Sequence, residues 1–245
     1  MTPKMSSMVR RYLAFDIETA KETLEDDWVL QRPLGITCAA AVSSDDQTPR
    51  LWYGVNKDGT PARQMSRQEV GKLVSFLVSQ VTDGYTLVTW NGLGFDLDIL
   101  AEESGAKSEC QKLASEHVDL MFHVFCVKGF PVALDKAAMA LRIPGKPAGV
   151  SGMLAPQLWK AGRHEEVLDY VAQDARITLQ IAELCEKRRR FAWVTRKGAV
   201  SSMALPHGWL TVDQARRVPE PDTSWMTSPI ARTRFTAWLD RTRRS

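Results

Sequence analysis

Tyr12-Leu13-Ala14-Phe15-Asp16-Ile17-Glu18-Thr19 is a strand-like run that carries two carboxylates two residues apart. Successive side chains on a strand point to opposite faces, so Asp16 and Glu18 share one face while Leu13, Phe15 and Ile17 share the other. One face packs and the other presents paired acid. Two like charges held that close repel unless a cation lies between them, and a divalent metal with oxygen ligands is the usual answer. A strand end with a solvated acidic edge gives the same pattern. What separates the two readings is whether other carboxylates in the chain converge on this strand.

At 245 residues, 44% of them hydrophobic, the chain can bury one substantial core and carry an appendage. No apolar run approaches the roughly 18 residues that a membrane span requires, and no apolar block precedes Arg10-Arg11 as a secretory signal would. A soluble, cytoplasmic protein with no membrane partner is expected. Cys38, Cys110, Cys126 and Cys185 lie far apart with no C-x-x-C pair, which predicts reduced core thiols.

The net charge of +3 is unevenly placed: residues 1–186 hold 19 basic against 25 acidic side chains, and residues 187–245 hold 13 against 4. Trp193, Trp209, Trp225 and Trp238 lie in that basic tail. Basic residues interleaved with aromatics suit a phosphate backbone and stacked bases; a small packed subdomain with solvated arginines has the same composition. The expected organisation is a flexible N-terminus over 1–9, one domain over 10–190 and a basic, tryptophan-rich extension over 191–245.

Along the chain, residues 20–33 read as a polar loop, and residues 35–43 and 51–55 as strands that continue a meander. Ser66 with Glu69 three residues on predicts a capped helix to about Gln80. Residues 86–90 read as a short strand, Asn91-Gly92 as a turn, and Phe95 onward as a helix start with Asp96 in its first turn. Residues 117–127 form a mixed apolar segment, 134–141 a short helix, and 143–152 a Pro/Gly-rich loop bearing Lys146. The longest helical pattern runs from Arg163 to about Arg190. Asp174 stands inside its apolar stripe, and Tyr170, four residues earlier, projects from the same face. A carboxylate in such a stripe requires a cationic partner, a basic side chain or a metal. Residues 191–195 and 200–205 flank Arg196-Lys197-Gly198 like a hairpin, and Ser228-Pro229 predicts a last helix to Asp240.

Three separated segments thus offer carboxylates: Asp16 with Glu18, Asp96, and Asp174 with Tyr170. The ordered set resembles the DEDD superfamily of 3'-to-5' exonucleases, through Phe15-Asp16-Ile17-Glu18-Thr19, Asn91-Gly92-Leu93-Gly94-Phe95-Asp96 and Tyr170-Val171-Ala172-Gln173-Asp174. A tyrosine four before the last aspartate resembles the tyrosine subclass. The resemblance covers residues 10–186 and implies an α/β, ribonuclease H-like mixed five-stranded sheet, three antiparallel strands first, with helices on both faces. It implies an enzyme that releases nucleoside 5'-monophosphates from a free, single-stranded nucleic-acid 3' end. Asp16, Glu18, Asp96 and Asp174 would hold two Mg2+ ions, with Mn2+ able to substitute, Asp16 bridging both ions. Tyr170 would orient the attacking water through its hydroxyl. Thr19, Asn91, Lys146, Arg196 and Lys197 are the candidate contacts to nucleic acid. Asp98, two residues past Asp96 on a helix, is expected to point away into solvent, and His117 and His123 lack a metal-ligand pattern. An endonuclease of the same fold, a silent nucleic-acid-binding module and a protein-interaction domain are the alternatives.

Overall fold

In the computed structural model, which describes residues 10–22, 25–145 and 152–240, the strand quoted above is the centre of the sheet. β1 (Tyr12–Thr19) pairs antiparallel with β2 (Ile36–Ser43), Asp16 opposite Ala40 and Glu18 opposite Cys38, and β2 pairs antiparallel with β3 (Arg50–Tyr53). α1 (Arg67–Thr82) follows, opened by the reciprocal capping of Ser66 and Glu69 that the sequence predicts. The chain then returns to the free side of β1 as β4 (Thr86–Thr89), parallel to it. After α2 (Asp96–Ser104) and α3 (Lys107–Glu116), the two-residue β5 (Val118–Asp119) adds parallel to β4 and runs into α4 (Leu120–Lys128). The strand order is β3-β2-β1-β4-β5, the expected mixed sheet. Next come α5 (Leu134–Leu141), α6 (Ala155–Lys160) and the long α7 (His164–Arg188). A separate antiparallel hairpin of β6 (Arg190–Val194) and β7 (Val200–Ala204) precedes two single turns, α8 (Val212–Ala215) and α9 (Thr233–Thr236).

Alternation along β1 divides the core in two. Tyr12 and Ala14 pack with Cys38 and Ala40 against Val171 and Ala175 of α7. Leu13, Phe15 and Ile17 face the other way, against Leu73 and Leu77 of α1 and Leu97 and Leu100 of α2. Helices therefore cover both faces, and each buried Leu, Ile, Val or Phe contributes about 1.5–3 kcal/mol. All four cysteines are buried free thiols. Among the described residues no helix is long and apolar enough to cross a membrane.

Several local expectations change. Glu25–Gln31 forms a 3-10 helix inside the predicted loop, anchored by Trp28 edge-on to Phe95 at 5.2 Å between ring centroids. Residues 117–127 resolve into β5 and α4, whose turn is capped by Asp119. The predicted last helix is reduced to Thr233–Thr236, because residues on either side are held by individual side chains in place of a helical ladder. The Arg232 guanidinium, for example, donates to the carbonyls of Cys126, Val218, Arg216 and Pro219. Trp193 and Trp209 pack in the α7-side core, and Phe235 and Trp238 in the opposite one; Trp225 is 66% exposed. The tail thus packs with both cores. Residues 1–9, Lys146 and the rest of 146–151 lie outside the described residues.

Candidate active site

Strand pairing itself creates an opening. β4 bonds β1 only over Tyr12, Leu13 and Ala14, after which the chain departs through Trp90 and turns at Asn91, whose φ of 70° is left-handed. The second half of β1, the half with the acids, therefore has no strand on that side. Asp96 fills the gap: Ile17 donates its backbone N–H to Asp96 Oδ1 at 3.1 Å. Its carboxylate is thereby fixed on β1 at the residue between Asp16 and Glu18. On the opposite edge the register slips between Glu18 and Thr19, and the Thr37 hydroxyl donates to the Glu18 carbonyl at 3.1 Å. Burial pushes the Cys38 thiol upward, and the negative charges of Glu18 and then Asp16 push it further. Both carboxylates thus act on one sulfur, as side chains sharing a face should.

That face is roofed by α7. Asp174 is 7% exposed and Tyr170, one turn earlier, 4%. The Asp96 carboxyl is pushed up to about 7, first by burial and then by the charges of Asp119 and Asp174, against the lowering effect of the Ile17 N–H. Asp174 is therefore within electrostatic reach of Asp96. The Tyr170 hydroxyl reaches the loop before α6, lying 3.8 Å from where a Cβ on Gly152 would sit.

A fifth acid escaped the sequence reading. Asp119, 1% exposed, accepts from the backbone N–H groups of Asn91 at 3.1 Å, Leu93 at 2.9 Å and Phe122 at 2.9 Å. It caps α4 and at the same time clamps the turn that delivers Asp96; burial pushes its carboxyl up to about 6. Aspartate before the apolar run 120–127 is an N-cap signal, but nothing local announces the bonds to residues 91 and 93. From the other side the tail pins the same turn. The Trp238 indole N–H donates to the Leu93 carbonyl at 2.7 Å, and a Cβ on Gly94 would lie 2.8 Å from Phe235 Cδ1. At Gly92 a Cβ would run into the Thr89 side chain.

Asp98 does not point into solvent. Arg32 ion-pairs with it and with Glu102, the latter at 3.2 Å, and the Asp98 side chain is only 14% exposed. Thr19 is buried, its hydroxyl donating to the Lys21 carbonyl at 2.8 Å. Asn91 is half-buried with its backbone N–H on Asp119, whereas Arg196 and Lys197 are exposed at the turn of the β6–β7 hairpin, outside the five-stranded sheet. His117 and His123 are core residues pushed down to about 4 by burial. Among the described residues, no three His, Cys, Asp or Glu side chains draw together closely enough to hold a metal ion.

A family model described as the RNase_H superfamily matches residues 34–186, a span that begins after β1 and includes Asp96, Tyr170 and Asp174. No curated protein matches the chain in sequence. Among solved structures it is similar to the family B DNA polymerase from the hyperthermophilic archaeon Pyrobaculum calidifontis, at a TM-score of 0.54 and 21% identity, over 72% of this chain and 24% of that one. It is also similar to E. coli exonuclease I in complex with a dT13 oligonucleotide, at a TM-score of 0.35 and 18% identity, over 74% of this chain and 42% of that one. The chain thus spans about a quarter of the polymerase and less than half of the exonuclease. The polymerase likeness bears on the fold.

Proposed function

Because the chain belongs to the RNase H superfamily, we propose that it is a metal-dependent 3'-to-5' exonuclease of the tyrosine subclass, releasing nucleoside 5'-monophosphates from single-stranded ends. The observation that carries this reading is the attachment of Asp96 to the Ile17 N–H. That bond brings an acid from a second segment onto the strand that bears Asp16 and Glu18, under the helix that bears Asp174. We take residues 10–190 as the nuclease domain, with the extension packed on it.

The donor set fits a hard divalent cation by its chemistry: its members offer oxygen only, and burial, followed by the charges of Asp119 and Asp174, pushes the Asp96 carboxyl up to about 7, a penalty on the charged form that a bound cation would relieve. The fit is one of donor type and charge, not of a preformed cluster. Asp16, Glu18, Asp96 and Asp174 would hold two Mg2+ or Mn2+ ions, which supply charge to neutralise the phosphoryl oxygens and to make water nucleophilic. Around them the chain does the rest. Asp119 and Trp238 hold the turn that sets Asp96, α7 excludes bulk water from the acidic face, and the Tyr170 hydroxyl orients the attacking water by hydrogen bonding. A phenolic hydroxyl both donates and accepts hydrogen bonds but is a poor base at neutral pH, so its role is to orient the water.

The test is incubation with 3'-intact and 3'-blocked single-stranded DNA and RNA, in Mg2+, in Mn2+ and in EDTA. Mononucleotides from the intact ends alone, lost in EDTA, are expected. Internal fragments would make the protein an endonuclease, and no hydrolysis with either metal would make it a silent module.

A further inference from the structure

A cavity of about 460 Å3 opens where the acidic strand ends. It is lined by Ala20, two residues past Glu18, and by Thr37, whose hydroxyl holds the Glu18 carbonyl. Three cations line it as well, each from a different segment: Lys21 after β1, Arg63 before α1 and Lys160 at the end of α6. Against them stands one lining acid, Glu22. The surplus is notable because residues 1–186 as a whole carry more acid than base. All three cations are exposed, and among the described residues neither Arg63 nor Lys160 forms a salt bridge. Two of the segments are tied together: the Trp159 indole N–H donates to the Ala62 carbonyl at 2.9 Å, joining the loop of Arg63 to the helix of Lys160, and His164 packs edge-on to Trp159 at 4.6 Å, while the Lys21 ammonium donates to the Gln31 carbonyl at 3.2 Å.

Part of the positive charge elsewhere is spent or balanced, although Arg196 and Lys197 stand exposed at the β6–β7 turn. A second cavity of about 550 Å3, beside Asn91 and Gly94, has aromatic walls and one cation, Arg234, against one acid, Asp98. In the basic tail Arg232 serves four backbone carbonyls, Arg189 pairs with Glu186, and Arg190 donates to Ser202. We infer that Lys21, Arg63 and Lys160 form a phosphate-binding subsite for the backbone of a single strand whose end lies at the carboxylates. The inference rests on the proposed function for the position of the strand end, but not for the binding itself.

The experiment compares the full chain with an Arg63→Ala/Lys160→Ala variant, both checked for equal melting temperature. A 5'-labelled single-stranded oligonucleotide is titrated in EDTA over a range of NaCl, so that binding is read without turnover. Each phosphate contact to a single strand contributes about 0.7 to the slope of log K against log salt. The variant should therefore bind about tenfold more weakly at low salt, with a slope shallower by about 1–1.5. Native affinity and slope in the variant would overturn the subsite. So would a loss produced by Arg196→Ala/Lys197→Ala and not by the cavity pair, which would assign the grip to the hairpin. Cleavage in Mg2+ separates this from the proposed function: native turnover with KM unchanged in the cavity variant sinks the subsite alone, whereas binding with no turnover by the native chain sinks the nuclease reading and leaves the salt slope to decide the subsite.

Discussion

Replacing Asp96 with Asn isolates the charge at the site from its geometry. The amide keeps an oxygen to accept the Ile17 N–H, now at 3.1 Å from Asp96 Oδ1, and loses the ionisation. In the native chain the folded carboxyl is pushed from 3.8 to about 7. A raised pKa means that the folded state holds the proton more tightly than the unfolded one. The associated stability is thus fully present below the unfolded value and is lost as pH rises through the folded one. Roughly three units at about 1.4 kcal/mol each set a ceiling near 4 kcal/mol, and relaxation of the charged site brings the expectation to about 1–3 kcal/mol. Without metal the variant should match the native protein near about pH 4 and exceed it by that amount near about pH 8, a gain of several degrees in Tm for a chain of this size. Asp119, His117 and His123 titrate in both proteins and largely cancel in the difference. The assay is urea denaturation in EDTA across this range, repeated with Mg2+, which should close the gap by stabilising only the native chain. A variant less stable at high pH, or a difference that ignores pH, would refute the burial of a repelled charge.

Asp16→Ala and Asp174→Ala should each abolish hydrolysis while leaving the metal-free melting temperature equal or higher, and full activity in either would end the two-metal assignment. Tyr170→Phe should slow turnover by roughly ten- to a thousandfold with binding retained; a rate within about twofold of native would reduce Tyr170 to a packing residue. Truncation after Arg190 removes Phe191, Trp209, Phe235 and Trp238 from the two cores, so the shortened chain should aggregate on exposed apolar surface. A soluble truncation melting like the full chain would show the extension to be dispensable. Asp119→Ala strands the N–H groups of Asn91, Leu93 and Phe122 and should cost about 2–4 kcal/mol in urea, with turnover falling more than affinity; an unchanged denaturation midpoint would deny the clamp.

What could be read in advance was local. The face shared by Asp16 and Glu18 follows from a period of two, the start of α1 from Ser66 and Glu69, and the β6–β7 turn from Gly198, which adopts φ 80°. What could not be read depended on distant partners. β5 is a strand only because Val118 and Asp119 find Val88 and Thr89, and two residues carry no periodicity. Asp98 was assigned to solvent because its helix position was legible while Arg32, 66 residues away, was not. Ser228-Pro229 is a sound helix start, yet Phe235 and Trp238 are drawn into the core around Leu93 and Phe122 at the expense of a long helix.

The partial pairing of β4 with β1 has a bearing on how relatives of this chain should be judged. An acceptor at position 96 completes the backbone bonding of a central strand, so it answers to folding as well as to chemistry. A lineage that abandoned hydrolysis would be free to lose its acids at 16 and 174, but would be held to Asp or Asn at 96 by the amide of residue 17. Retention of an acid there is thus poor testimony that a relative cuts nucleic acid, and an Asn there, with the other three acids intact, would keep the backbone bond while removing one carboxylate of the proposed ion site.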